Sequence, residues 1–172
     1  MFRRIDDFLE IWADERKKTL EAIRTVPAAK MGHSGTPASR SLGRLGWHLV
    51  ESCVELPGHL GLAVDGPRVG ENGFIAEPLP ATMDEVAAAY DRASASVAGK
   101  VREWSDADLE SVDELYGERW RRGFSLFVLV AHQAHHRAQM TVLMREAGLR
   151  PPALYGPTAE GWAAWGVAAP AV

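Results

Sequence analysis

The chain has 172 residues, of which 47% are hydrophobic and 24% charged, the balance of a globular protein with one well-developed core. Its formal net charge of -4 excludes the broad basic field that gathers nucleic acid or anionic lipid. A single cysteine, Cys53, excludes an intramolecular disulfide, and no apolar run reaches the roughly 18 residues of a membrane span, so neither a disulfide scaffold nor a membrane protein is expected.

The opening Met1-Phe2-Arg3-Arg4-Ile5-Asp6-Asp7 lacks the apolar segment of a signal peptide, and a cytoplasmic protein is the expectation. Residues 5–24 read as a first helix, with Ile5, Phe8, Leu9, Trp12, Leu20 and Ile23 at helical spacing and Pro27 beyond its end. Residues 28–38, with Gly32, Gly35 and Pro37, read as a loop. A second helix fits Ser39 to about Leu56 on the stripe Leu42, Leu45, Leu49, Cys53, Leu56 and Leu60, with Pro57 and Gly58 ending or kinking it. Residues 61–81 carry Gly61, Gly66, Pro67, Gly70, Gly73, Pro78 and Pro80 and no period; so long a connection predicts a crossover that lets the next helix run parallel to the second.

The third helix has a marked start. Thr82 and Glu85 stand at capping-box spacing, and Met83, Val86, Ala87, Tyr90, Ala93, Val97 and Val101 supply its buried face up to Trp104. Residues 105–119 are polar and irregular, with a turn of helix after Ser105, and the basic run Arg119, Arg121 and Arg122 around Trp120 reads as a solvated helix entrance. The fourth helix covers Phe124 to Glu146 and stops at Gly148 and Pro151-Pro152. In the tail, Trp162 and Trp165 are expected to pack back onto the helices. There is no internal repeat and no strand pattern able to build a sheet. The prediction is one domain over residues 1–172: an all-α four-helix bundle with a long crossover between helices 2 and 3.

The chemistry concentrates in Ala131-His132-Gln133-Ala134-His135-His136-Arg137-Ala138-Gln139. At about 100° per residue His132 and His136 lie roughly 40° apart on one helix face, so two imidazoles can converge on a divalent cation without straining the backbone. His135 points about 60° from His132 and about 100° from His136, a poorer ligand direction, though it could orient a ligand or the substrate. A further ligand must come from another element. His48 sits mid-helix in Leu45-Gly46-Trp47-His48-Leu49-Val50-Glu51, at the edge of the apolar stripe; His33 lies in a loop and His59 at a helix end. The competing reading of each histidine is a hydrogen-bonded core residue, and spacing alone leaves that reading open. Glu51 and Gln139 read as ordinary polar residues, with the orientation of a ligand or a water as the sharper alternative. Gln133 stands where the HExxH motif places its glutamate base, which argues against a zincin protease, and no phosphate-binding glycine loop is present. Cys53, about 140° round the helix from His48, reads as a small buried hydrophobe.

The segment from His132 through Leu149, with Tyr155-Gly156-Pro157 and Glu160-Gly161-Trp162 after it, resembles the signature of the DinB (DinB/YfiT-like) family. Many members carry glycine where this chain has Ala138, a small departure. The resemblance implies a bundle holding a metal among its helices, often as a homodimer, with His48, His132 and His136 as the ligands. It also implies a metal-dependent enzyme acting on a small molecule, with a thiol-dependent S-transferase as one class and a low-molecular-weight thiol as cosubstrate. The expected ion is zinc or nickel, with iron or manganese as further candidates. A non-enzymatic metal-binding stress-response protein and a metal-dependent hydrolase are the alternatives. Nucleic acid and membrane are not expected partners.

Overall fold

A computed structural model describes residues 1–71 and 75–171; Gly73 of the crossover and Val172 of the tail lie outside the described residues. Helices α1 (Ile5–Arg24), α2 (Leu42–His59), α3 (Met83–Arg102) and α4 (Arg122–Glu146) form a four-helix bundle. The stripes predicted for the first three helices supply much of its core: Phe8, Trp12 and Ile23 from α1, Leu42, Leu49 and Cys53 from α2, and Val86, Tyr90 and Val97 from α3 are all buried, and Leu126, Leu129 and Met140 of α4 are buried with them.

Contacts between helices fix their directions. Trp12 donates from Nε1 to Ser94 O at 2.9 Å and Arg16 reaches back to Asp91 Oδ1 at 2.9 Å, so α1 and α3 are antiparallel. Phe2 N bonds Gly123 O at 3.0 Å while Arg137 bonds Thr19 Oγ1 at 2.7 Å, so α1 and α4 are parallel. Gly46 faces Met83 and Val86, and farther along both helices Val54 and Ala93 flank Gly66, so α2 and α3 run the same way. That is the direction the long crossover predicts.

Three boundaries differ from the sequence reading. Helix α2 begins at Leu42, because Ser41, not Ser39, is the cap: its side chain accepts from Arg44 N. Pro57 does not end α2, which runs to His59. Gly61, at φ 77°, provides the left-handed cap, with Leu62 N bonding Pro57 O and Gly61 N bonding Gly58 O. Helix α4 starts two residues early, at Arg122. The capping box on α3 forms as predicted, with Thr82 Oγ1 accepting from Glu85 N and Glu85 Oε2 accepting from Thr82 N.

The stretch after Ser105 does form a short 3-10 turn, Asp106–Glu110, but a two-stranded antiparallel hairpin follows it. Its strands are β1 (Val112–Leu115) and β2 (Glu118–Arg121), so the basic run around Trp120 belongs to a strand and the first residue of α4. Arg121 lies 3.5 Å from Glu110 and Arg122 2.9 Å from Asp113. In the tail, Trp162 is half-buried while Trp165 is exposed, so only one of the two indoles packs inward. Among the described residues no helix is long and apolar enough to cross a membrane.

Candidate metal centre

Helix α2 brings His48 opposite the His132/His136 face of α4, halfway along the bundle. One ring nitrogen from each of the three imidazoles falls within 4.8 Å of the others, and His48 Nε2 lies 3.2 Å from His132 Nε2. Two nitrogens bound tetrahedrally at about 2.0–2.1 Å to one zinc ion are about 3.3 Å apart, so the spacing suits shared coordination. His48 lies on the edge of its apolar stripe, the side of α2 that meets His132 and His136 of α4. His136 is buried; His48 and His132 are half-buried, which leaves the cluster an open side.

The far nitrogens are already assigned. His48 Nδ1 donates to Glu51 Oε2 at 2.8 Å, and His136 Nδ1 donates to Gln139 Oε1 at 2.8 Å. Each of these rings then carries its proton on Nδ1 and presents the Nε2 lone pair to the cluster, the tautomer a ligand needs. Burial, reinforced by the positive charge that His48, His135 and Arg40 can place nearby, holds His132 down to about 4. Burial likewise holds His136 at about 4, against the upward pull of its bond to Gln139. Both imidazoles are therefore neutral around pH 7.

Glu51 is the least exposed carboxylate at the site. Burial alone would raise its pKa, but bonds from His48, Arg44 and the Ile75 amide outweigh burial and keep it below the usual range, hence ionised. Arg44 donates to Oε1 at 2.6 Å and Ile75 N to the same oxygen at 3.1 Å. The crossover thus touches the centre through Ile75.

The other sequence candidates fall elsewhere. His135 is exposed, and its Nε2 accepts from Gln139 Nε2 at 2.9 Å, one step outside the cluster. His33 faces Glu146 at 3.9 Å and His59 pairs with Glu55 at 3.0 Å. Cys53 is fully buried with its thiol pushed up by desolvation, a core residue and no ligand. Gln133 is also buried and donates to Ser52 Oγ at 2.7 Å, bracing α4 against α2.

Sequence reasoning missed the surroundings of the centre. A cleft of about 460 Å³ lies beside it, lined by Ser39, Arg40, Leu45, Gln139, Val142 and Leu143. Among the described residues its lining comes from the segment before α2, from Leu45 in the first turn of α2 and from the last turns of α4. Arg40 gives no signal in the sequence, being one loop arginine among many. The pairing of Arg44 with Glu51 was legible in principle, since seven residues are two helical turns.

Comparisons with known proteins agree with this architecture. The DinB family profile matches residues 1–167. The uncharacterized protein YrdA of Bacillus subtilis (strain 168) is 33% identical over 171 residues, covering 99% of each chain. The crystal structure of a DinB-like protein from Bacillus cereus ATCC 10987 superposes with a TM-score of 0.81 at 29% identity, covering 90% of this chain and 100% of that one. A DinB-like protein of Bacillus subtilis, YjoA, shares the fold at a TM-score of 0.66 and 16% identity, covering 88% of this chain and 99% of that one.

Proposed function

The chain belongs to the DinB family, and from that membership and the three convergent imidazoles we propose a cytoplasmic, metal-dependent enzyme acting on a small molecule. The observation that carries this reading is the meeting of His48, His132 and His136 nitrogens within 4.8 Å, with two of the rings fixed in the ligand tautomer by Glu51 and Gln139.

His48, His132 and His136 would hold a divalent ion through three protein ligands, one fewer than the four that usually close a structural zinc site. The chemistry such an ion would supply is a lowered pKa for a bound water or thiol. The chain's own contribution is to keep His132 and His136 neutral by burial and to hold the Nδ1 protons of His48 and His136 on Glu51 and Gln139. It also leaves a cleft at the rim.

Glu51 spends its carboxylate on His48, Arg44 and Ile75, so it does not serve as a base for water. This favours a nucleophile that ionises readily by itself, such as a low-molecular-weight thiol, and with it S-transfer over hydrolysis. A homodimer is part of the same proposal. Elemental analysis of gently purified protein beside His48→Ala, His132→Ala and His136→Ala tests the core of it. The expected result is stoichiometric zinc or nickel in the parent and loss in each variant; equal metal in all four proteins overturns it. Metal-dependent consumption of a thiol with an electrophile then separates a transferase from a hydrolase, which needs only water, and from a binding protein, which turns over neither.

A further inference from the structure

The cleft beside the metal centre is built from two kinds of surface. Leu45, Val142 and Leu143 give it an apolar wall, and Arg40 stands at its edge with Ser39. Among the described residues Arg40 makes no hydrogen bond or ion pair, and none of the six lining residues is acidic. The nearby acid Glu146, one turn beyond Leu143, does not line the cleft and instead faces His33 at 3.9 Å. Arg40 is exposed, like other arginines of this chain that lack a carboxylate partner, and what sets it apart is its place in the lining of the cleft. Gln139 belongs to both places: it lines the cleft and accepts the Nδ1 proton of His136. A ligand in the cleft therefore lies against the rim of the histidine cluster. The volume of about 460 Å³ suits a small organic molecule and is far too small for a macromolecule.

We infer that this cleft is the substrate subsite and that it selects a small organic anion, an apolar body against Leu45, Val142 and Leu143 with its carboxylate or similar group on Arg40. The inference rests on the proposed metal-dependent function for its catalytic meaning, but the binding preference can be read without turnover. Arginine suits the role because its planar guanidinium offers paired donors to a carboxylate, while the apolar wall rejects a purely hydrated anion. Neither half is sufficient, so the site discriminates against neutral alcohols and against short, fully polar acids.

Hexanoate is a suitable probe, with 1-hexanol as its uncharged counterpart and acetate as its counterpart without an apolar chain. Calorimetric titration into zinc-loaded and metal-free protein gives the affinities, and zinc content is measured on the same samples. Saturable hexanoate binding is expected, with hexanol and acetate each weaker by about tenfold, the scale of one charge-assisted hydrogen bond or a few buried methylenes. Arg40→Gln should weaken hexanoate about tenfold and leave hexanol unchanged, Arg40→Lys should recover part of the loss, and Val142→Ser should weaken hexanoate and hexanol alike. Hexanoate binding no tighter than hexanol, indifference to Arg40→Gln, or absence of saturable binding overturns the inference. Failure to bind zinc with the hexanoate preference intact would remove the proposed enzyme and leave the anion subsite standing.

Discussion

Glu51 Oε2 accepts from His48 Nδ1 at 2.8 Å across one turn of α2, while its other oxygen holds Arg44 and the Ile75 amide. A carboxylate behind an imidazole fixes the ring's tautomer and raises the basicity of the nitrogen on the other side. Glu51 thus joins three things: the orientation of His48, the charge of Arg44 and the end of the crossover.

Replacing Glu51 by glutamine keeps the shape and removes the charge. Metal affinity should fall by about ten- to a hundredfold, the usual cost of losing such an outer partner. A competition titration with a chromophoric chelator measures it, and circular dichroism confirms that the helices persist. Unchanged affinity would show that the 2.8 Å contact does not prepare His48 for a ligand role.

The neutral imidazoles make a pH prediction. In an unfolded chain His132 and His136 take up protons near the ordinary value of 6.5, but burial holds both near 4 in the fold. Between those values the unfolded state binds more protons, so stability must rise with pH across that window. The metal-free protein's Tm should climb from pH 4 towards 6.5 and then level off. A His132→Asn/His136→Asn variant should show a shallower climb. Since carboxylates also titrate at the acid end, the difference between the two curves is the measurement that counts.

Much of this was legible in the sequence, and the reasons for the exceptions are physical. The stripes of Phe8-Trp12 and Leu42-Leu45-Leu49, the Thr82–Glu85 box and the His132/His136 spacing are local patterns of period 3.6, readable without knowing the fold. The hairpin was not readable, because residue type does not follow burial there: Val112 is exposed while Asp113 is half-buried, and Leu115 is the one residue of the two strands that is buried. Its turn also replaces the usual Asn-Gly by Tyr116-Gly117, with Tyr116 held at φ 55° and its hydroxyl donating to Glu55. His48 needed α4 beside it before its place at the edge of a stripe made sense. Glu15 broke its helix's apolar pattern because its partner lies 122 residues away.

That partner, Arg137, yields a stability prediction. Its side chain is fully buried, pairing with Glu15, donating to Thr19 Oγ1 at 2.7 Å and meeting the Tyr155 hydroxyl. Tyr155 also donates to Glu15, so the cluster pins the tail to α1 and α4. Arg137→Leu leaves the buried Glu15 carboxylate only Tyr155 and, at 3.7 Å, Lys18, and should cost about 3–5 kcal/mol in urea unfolding. The double change Glu15→Leu/Arg137→Leu should recover much of that, and Tyr155→Phe should cost about 1–2 kcal/mol. Arg137 points about 100° away from His136, so metal affinity should hold in every variant that folds. Loss of metal with retained stability would mean that Arg137 serves the centre and not the core.

Gly123 offers the sharpest steric test. It sits in the first turn of α4 where Phe2 N bonds its carbonyl at 3.0 Å, and a β-carbon there would come within 2.1 Å of Phe2 O. The contact is backbone on backbone, so no side-chain rotation relieves it. Gly123→Ala must either detach the N-terminal segment from α4 or shift the start of the helix, at a cost of about 1–3 kcal/mol. Gly99 is the matched control: it lies exposed within α3, and a β-carbon there meets nothing within 4 Å. Gly99→Ala should stabilise by about 0.4–1 kcal/mol, because it only removes freedom from the unfolded chain. Thermal unfolding of the two variants should therefore move Tm in opposite directions. If Gly123→Ala melted at or above the parent temperature, the close passage of Phe2 over α4 would have to be abandoned.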